Sequence, residues 1–339
     1  MTVKNQKSSS EPNWFHYPPI DEVILQQLRE REHFIVIGHL NPDGDCLSSQ
    51  FAVEALLHFL GKEVTLANAG PFTRSEISHL DGQFVSEIPP ELYRKNPLVV
   101  VVDCSSADRL GHLASQIEGL DTVIFDHHSS GEQFGTWRYI IPRSISTTLI
   151  IMHLYREMDI EITEEIAEHL FFGFATDSGF FRFITSYRGE TLRMAADLVD
   201  LGVSPNAMVD RMSGGKQLAY VQYLGALINR VESHYAGKVL SSVTYAADDL
   251  HYNTADKPSD ALYGHLLSVA GVEVVLFFKE LASSVTEVGF RSSYLSEVDV
   301  GKLAESLGGG GHRKASGVTI KSSLADTKKL VLSAIESLL

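Results

Sequence analysis

Five consecutive apolar residues, Leu98-Val99-Val100-Val101-Val102, run directly into Asp103. A strand with no polar alternation and four β-branched valines is one that is covered on both faces. Such strands belong to parallel sheets, whose crossover helices close the two faces. His33-Phe34-Ile35-Val36-Ile37 and Thr122-Val123-Ile124-Phe125 have the same character, and Glu63 to Ala67 reads as a further strand. Between the first pair, Leu47, Phe51, Ala55 and Phe59 recur every four residues and predict one helical face, ended by Gly61. Helical patterns follow at about 145–158, 163–175 and 189–201. The alternation predicts an α/β fold with a doubly wound, mainly parallel sheet.

A chain of 339 residues exceeds one ordinary core, so two domains are expected. Gly202 to Lys216 carries Gly-Val-Ser-Pro and Ser-Gly-Gly-Lys, which punctuate the chain. The predicted layout is a polar tail over 1–15, a first domain over 16–201, a linker and connecting helix over 202–231, and a smaller domain over 232–339. The smaller domain reads as α/β with a mixed sheet: strands at 239–245, 272–279, 286–291 and 317–320, and helices at 260–268, 300–307 and 324–339, with a glycine-rich loop before the last strand. No apolar run reaches the ~18 residues of a membrane span. The N-terminus lacks the apolar segment of a secretory signal, and two cysteines, Cys46 and Cys104, fit a reducing cytoplasm. Both are read as buried small residues rather than nucleophiles. Lys plus Arg total 28 against 43 Asp plus Glu, a net charge of −15, which argues against a long duplex nucleic acid as partner. A small phosphorylated ligand held through metal ions remains compatible.

The chemistry lies in where Asp and His fall. His39-Leu40-Asn41-Pro42-Asp43-Gly44-Asp45 follows the first strand, Asp103 follows the valine run, and Asp126-His127-His128 follows Val123-Ile124-Phe125. Asp177, in Ala175-Thr176-Asp177-Ser178-Gly179, can reach the same place from a helix end. In an open parallel sheet the carboxyl ends of the strands form the ligand crevice. Each cluster has a plain structural reading as well: a turn with an N-cap aspartate, a single cap residue, a solvated loop. Those readings must hold four times over at one sheet edge. Imidazole with carboxylate suits Mn, Fe, Zn or Co better than Ca. Four aspartates balance two divalent cations, and without cations they would repel one another strongly.

His-x-Asn-Pro-Asp-Gly-Asp, the strand-end Asp103, Asp126-His127-His128 and the later Asp177 resemble the four motifs of the DHH phosphoesterases. Gly308-Gly309-Gly310-Gly311-His312 resembles the signature of the DHH-associated C-terminal domain, DHHA1. The resemblance runs from about residue 20 to 339, and the two-domain size is similar to the nano-RNase / pAp-phosphatase branch. It implies that His39, Asp43 and Asp103 hold one metal and that Asp45, Asp103, His127 and Asp177 hold a second, with Asp103 shared. Asp126 would orient the neighbouring imidazoles, and His128 would face the phosphate. Two divalent ions are implied, Mn2+ first, with Fe, Co or Mg as alternatives. Arg291, in Glu287-Val288-Gly289-Phe290-Arg291, is similar to a substrate-contacting arginine, and Gly310, Gly311, His312, Arg313 and Ser316 are expected to complete an anion site. Ser316 departs from the usual alanine and is read as a further phosphate donor. Pro142-Arg143-Ser144-Ile145-Ser146-Thr147-Thr148 is read as a plain N-cap by Ser144 or Ser146. Arg109 is read as structural.

The expected activity is hydrolysis of short oligoribonucleotides, pApA or 3′-phosphoadenosine 5′-phosphate (pAp) by a metal-activated water. A cyclic-di-AMP or linear dinucleotide phosphodiesterase shares the layout. An inorganic pyrophosphatase or exopolyphosphatase shares the Asp-His-His but lacks the glycine-histidine ending. A nucleotide-binding sensor is the non-enzymatic alternative, opposed by the complete ligand set. Family members often form homodimers, and that assembly is left open.

Overall fold

The valine run is buried along its whole length because it feeds two cores at once. In a computed structural model, which describes residues 16–129, 131, 134–184, 188–254 and 257–339, Leu98, Val100 and Val102 pack into one apolar cluster and Val99 and Val101 into another. The expected tail over 1–15 lies outside the described residues. The chain divides into two compact units, 1–215 and 216–339.

The first unit holds, in order, α1 (Glu22–Glu30), β1 (His33–Ile37), α2 (Gly44–Phe59), β2 (Glu63–Ala67), α3 (Pro90–Tyr93), β3 (Leu98–Val102), α4 (Leu113–Gln116), β4 (Thr122–Asp126), β5 (Trp137–Ile140), α5 (Thr147–Glu157), α6 (Glu164–Asp177), α7 (Gly189–Asp200) and α8 (Pro205–Ser213). The five strands are all parallel, in the order β2-β1-β3-β4-β5. The order reverses between β1 and β3, so the crevice at their carboxyl ends is the ligand position of a doubly wound sheet. β5 escaped sequence reading because Trp137-Arg138-Tyr139-Ile140 is short, carries a charge and lies at the sheet edge.

The predicted face of α2 needs correction. Leu47 and Phe51 are buried, but Phe59 is 69% exposed. A four-residue step overshoots the 3.6-residue turn by about 40°, so three steps carry position 59 off the face. The buried surface instead broadens over Cys46, Leu47, Ala52, Val53, Leu56 and Leu57. Gly61, just past the helix, has φ +76°, the left-handed conformation that ends a helix most cheaply with glycine.

The second unit holds α9 (Leu218–Asn229), β6 (Glu232–His234), β7 (Val239–Thr244), α10 (Ala246–Tyr252), α11 (Ser259–Leu267), β8 (Val274–Ala282), β9 (Val285–Ser292), α12 (Val300–Ser306), β10 (Gly310–His312), β11 (Ala315–Ile320) and α13 (Leu324–Glu336). Its six strands run β10-β11-β9-β8-β7-β6, with β7 and β8 parallel and the other pairs antiparallel, a mixed sheet. The expected glycine-rich loop is in part a strand: β10 pairs with β11 through Gly310–Gly317, Gly311–Ser316 and His312–Ala315. Backbone alone makes that pairing, so no side-chain alternation announces it. No helix among the described residues is long and apolar enough to cross a membrane.

Candidate metal centre

Each strand that reaches the β1/β3 crevice ends in a side chain built for it. After β1, the His39 Nδ1–H donates to the Leu40 carbonyl at 2.8 Å, which turns Nε2 inward. Nε2 stands 3.8 Å from Asp43 Oδ1 and 3.4 Å from Asp103 Oδ2. The loop is braced from beneath by buried amides. Gln50 Nε2 donates to the carbonyls of Val36 and Ala67, both at 2.9 Å, and Asn68 Nδ2 donates to the His39 carbonyl at 3.3 Å and to Gln50 Oε1 at 3.2 Å. Leaving one such buried donor unpaired costs about 1–3 kcal/mol, so this network ties the ends of β1 and β2 to the loop. Cys46 and Cys104 are buried free thiols.

Asp43 is the N-cap that the plain structural reading expects, and it also faces the cluster. It caps α2, accepting from the Cys46 N–H at 3.1 Å, and the same oxygen faces His39. Asp45 is fully buried in the first turn of α2. Its Oδ2 accepts from the Thr147 N–H at 2.6 Å, and its Oδ1 from the Thr148 N–H at 2.9 Å and the Thr148 hydroxyl at 2.8 Å. A carboxylate has about four lone-pair sites, so three are used and one on Oδ2 is free for a ligand. Ser146 caps α5 as expected, accepting from the Leu149 N–H. Beyond that cap, Thr147 and Thr148 hold Asp45, a role the sequence did not reveal.

Asp103 leaves β3 with φ +57°, a left-handed conformation uncommon for a residue with a side chain. Local strain of this kind persists where the surroundings over-determine it. Here it aims Oδ2 at His39 and Oδ1 at His127 Nε2, each at 3.4 Å, and Oδ1 also accepts from the Thr147 hydroxyl at 2.9 Å. His127 Nε2 lies 3.2 Å from Asp177 Oδ2, which comes from the last turn of α6. Donor atoms of Asp45, His127 and Asp177 all fall within 4.8 Å of one another. Asp126 stands behind: its Oδ1 accepts from the backbone N–H of His127 at 2.8 Å and of His128 at 3.2 Å, and from His128 Nδ1 at 2.7 Å.

The donor set fits divalent cations. Imidazole-to-carboxylate separations of 3.2–3.8 Å exceed the best hydrogen-bond lengths. They match donors that each sit about 2.1 Å from a shared ion. With protein charges alone, the cluster must settle its balance with protons. Burial, then the charges of Asp177 and Asp103, drives Asp45 well above the usual carboxylate range. Burial lifts Asp177 to about 6. Burial would depress His127, but its contacts with Asp103 and Asp177 push it up to about 12. Burial would raise Asp103, but His127 and His39 hold it well below its ordinary range. A divalent cation held by these residues would supply the positive charge that the protons supply here, so its affinity would rise with pH.

Arg109 is corrected. Its Nη1 lies 3.5 Å from His128 Nε2, and its backbone carbonyl accepts from the Leu40 N–H at 2.7 Å, so it borders the centre rather than serving only the fold.

In the second unit the expected anion-binding residues part company. Ser316 turns inward: it is 8% exposed, and its hydroxyl donates to the Val300 carbonyl at 2.5 Å. It alternates with Ala315 and Gly317 along β11 and so points to the opposite face, which corrects its reading as a phosphate donor. Arg313 reaches the Glu297 carboxylate at 2.7 Å, an exposed ion pair that competes with an anion role. His312 and Gly310 are exposed. A Cβ on Gly311 would fall 2.6 Å from the Ser316 backbone, whereas one on Gly310 would meet nothing within 4 Å. The hairpin therefore explains Gly311 and leaves Gly310 as an open approach. Arg291, next to last in β9 before Ser292, carries its guanidinium over the Tyr263 ring, 4.6 Å from the centroid.

Comparison with known proteins meets this geometry. Residues 33–174 match the DHH family N-terminal domain, and residues 237–339 match the DHHA1 domain. A Thermus thermophilus protein named bifunctional oligoribonuclease and PAP phosphatase NrnA is 29% identical over 304 residues, covering 88% of each chain. A Bacillus subtilis protein of the same name is 26% identical over 319 residues, covering 93% of this chain and 97% of that one. The crystal structure of an exopolyphosphatase-related protein from Bacteroides fragilis superposes with a TM-score of 0.80 at 17% identity, over 93% of this chain and 95% of that one, a likeness of fold. With both domains present, in that order and over those lengths, the chain belongs to the DHH/DHHA1 family.

Proposed function

We propose that the protein is a metal-dependent phosphoester hydrolase acting on short oligoribonucleotides, pApA among them, and on pAp, in the cytoplasm. The observation that carries the reading is the position of Asp103 between two donor groups. One carboxylate oxygen faces His39 and the other faces His127. His39, Asp43 and Asp103 would hold one divalent ion, and Asp45, Asp103, His127 and Asp177 a second, with Mn2+ taken first and Fe, Co or Mg sharing the same mixed imidazole and carboxylate donors. When bound, such a pair supplies a water of lowered pKa and positive charge for the phosphoryl oxygens. The protein groups do the rest. Asp126 fixes the ring of His128 through Nδ1, so that Nε2 faces outward beside Arg109. His128 and Arg109 then meet the phosphate and offset the charge that develops on it. Thr147 and Thr148 keep Asp45 and Asp103 in the ligating orientation. In the second unit, Arg291, His312 and the backbone of Gly310 and Gly311 are read as nucleotide-binding groups in their own right.

The similarity of the two NrnA proteins over nearly the full chain supports the substrate class, as does the net charge of −15, which disfavours a long polyanion. The test is a rate comparison, with added Mn2+, on RNA of two, three, five and twenty-four nucleotides, pAp, a cyclic dinucleotide and pyrophosphate. The two- and three-nucleotide RNAs and pAp are expected to turn over fastest. Preference for the longest RNA or for pyrophosphate would refute the assignment.

A further inference from the structure

In the antiparallel part of the second sheet, residues paired across strands point to the same face. Gly310, Gly317 and Gly289 are paired in turn across β10, β11 and β9, and His312, Ala315 and Arg291 form the next row. One face of this sheet thus carries a strip without side chains, bordered by Arg291 and His312. Tyr263, from α11, lies across the end of the strip. A Cβ on Gly289 would fall 2.1 Å from its hydroxyl oxygen, so only glycine admits the phenol there. The Tyr263 ring carries the Arg291 guanidinium at 4.6 Å and meets Phe277 edge-on at 6.1 Å. Arg291 has no carboxylate within ion-pair reach among the described residues, and one of its nitrogens, Nη1, is tied to the Phe290 carbonyl at 3.0 Å. Tyr263 is 6% exposed, and its hydroxyl, which makes no hydrogen bond among the described residues, is the part that reaches the surface, an apolar body with a polar tip open to a ligand.

We propose that Tyr263 is a substrate-binding residue with two parts: its ring orients the Arg291 fork, and its hydroxyl, admitted by Gly289, donates to a phosphate or ribose oxygen of the nucleotide. The proposal rests on the reading of Arg291 as the nucleotide-binding arm. Cation–π support fixes the plane of the guanidinium, so the two side chains act as one clamp.

Steady-state kinetics on pApA, with Mn2+-supplemented enzyme, test it. Arg291→Ala is expected to raise KM about tenfold, Tyr263→Leu nearly as much, and Tyr263→Phe about threefold, with kcat within about twofold of wild type throughout. Gly289→Ala should match Tyr263→Leu while leaving the core residues in place, which guards against a folding defect in the leucine variant. In an Arg291→Ala background, Tyr263→Leu should cost no more than Tyr263→Phe, because only the hydroxyl is left to lose. Wild-type KM in both Tyr263→Phe and Gly289→Ala would overturn the proposal while Arg291→Ala still raised KM. An Arg291→Ala enzyme with unchanged KM would instead refute the nucleotide-binding arm itself, and the clamp with it.

Discussion

The metal centre and the glycine hairpin lie in different units, and they are built on opposite principles. Four of the six ligand candidates, His39, Asp43, Asp45 and Asp103, are held by hydrogen bonds within the first unit. Asp45 and Asp103 are 0% and 2% exposed, and threonine donors from α5 fix both. The hairpin keeps its groups in water: His312 is exposed, and Arg313 makes a surface pair with Glu297. Ions of fixed size need donors within a few tenths of an ångström, and a nucleotide needs reach and access. Substitutions at the centre should therefore act on metal affinity, and those at the hairpin on KM.

The largest effect short of removing a ligand is expected at Thr148. Thr148→Val deletes the hydroxyl that holds Asp45 Oδ1 and should weaken metal binding about ten- to hundredfold. Titration of metal-stripped protein with Mn2+ measures it, and unchanged affinity would mean that α5 does not preorganise the centre. Arg109→Ala should lower kcat about tenfold with metal content intact, since it borders His128 and no ligand atom. Metal analysis beside single-turnover rates separates the two; a loss of metal would place Arg109 with the centre's scaffold instead. The smallest effects sharpen the contrast within the hairpin. Gly310→Ala should raise KM severalfold without changing stability, because a methyl there meets no protein atom. Ser316→Ala should do the reverse, costing about 1 kcal/mol for the lost hydrogen bond to Val300 and leaving KM alone. Thermal melts and Michaelis constants on this pair would expose an error if the two patterns were exchanged.

The contrast also explains what the sequence could reveal. The centre was legible because strand ends and motif spacing are local: the valine run makes the strand, and Asp103 is the next residue. The supports of the centre were not legible. Thr148 meets Asp45 across 103 positions, and Arg109 meets His128 across a crossover between adjacent strands. Neither residue has a spacing that marks it. Ser316 was misjudged because a glycine-rich stretch reads as loop, whereas pairing with β9 and β10 sets a two-residue alternation that turns its hydroxyl into the core. Phe59 was misjudged for a related reason, since its face depends on the small difference between 4 and 3.6 residues per turn. Tyr263 and Gly289 gave no signal at all, being an ordinary helix aromatic and an ordinary strand glycine until the sheet register brings them together.

The most direct test concerns the shared ligand. Metal-stripped wild-type protein and Asp103→Ala should be titrated with Mn2+ calorimetrically and then assayed on pApA. Two Mn2+ per chain in the wild type, with metal binding sharply weakened and turnover below about a tenth in the variant, is the expected result. A variant that retains both ions or substantial turnover, or a wild type that hydrolyses pApA in excess chelator, would contradict it.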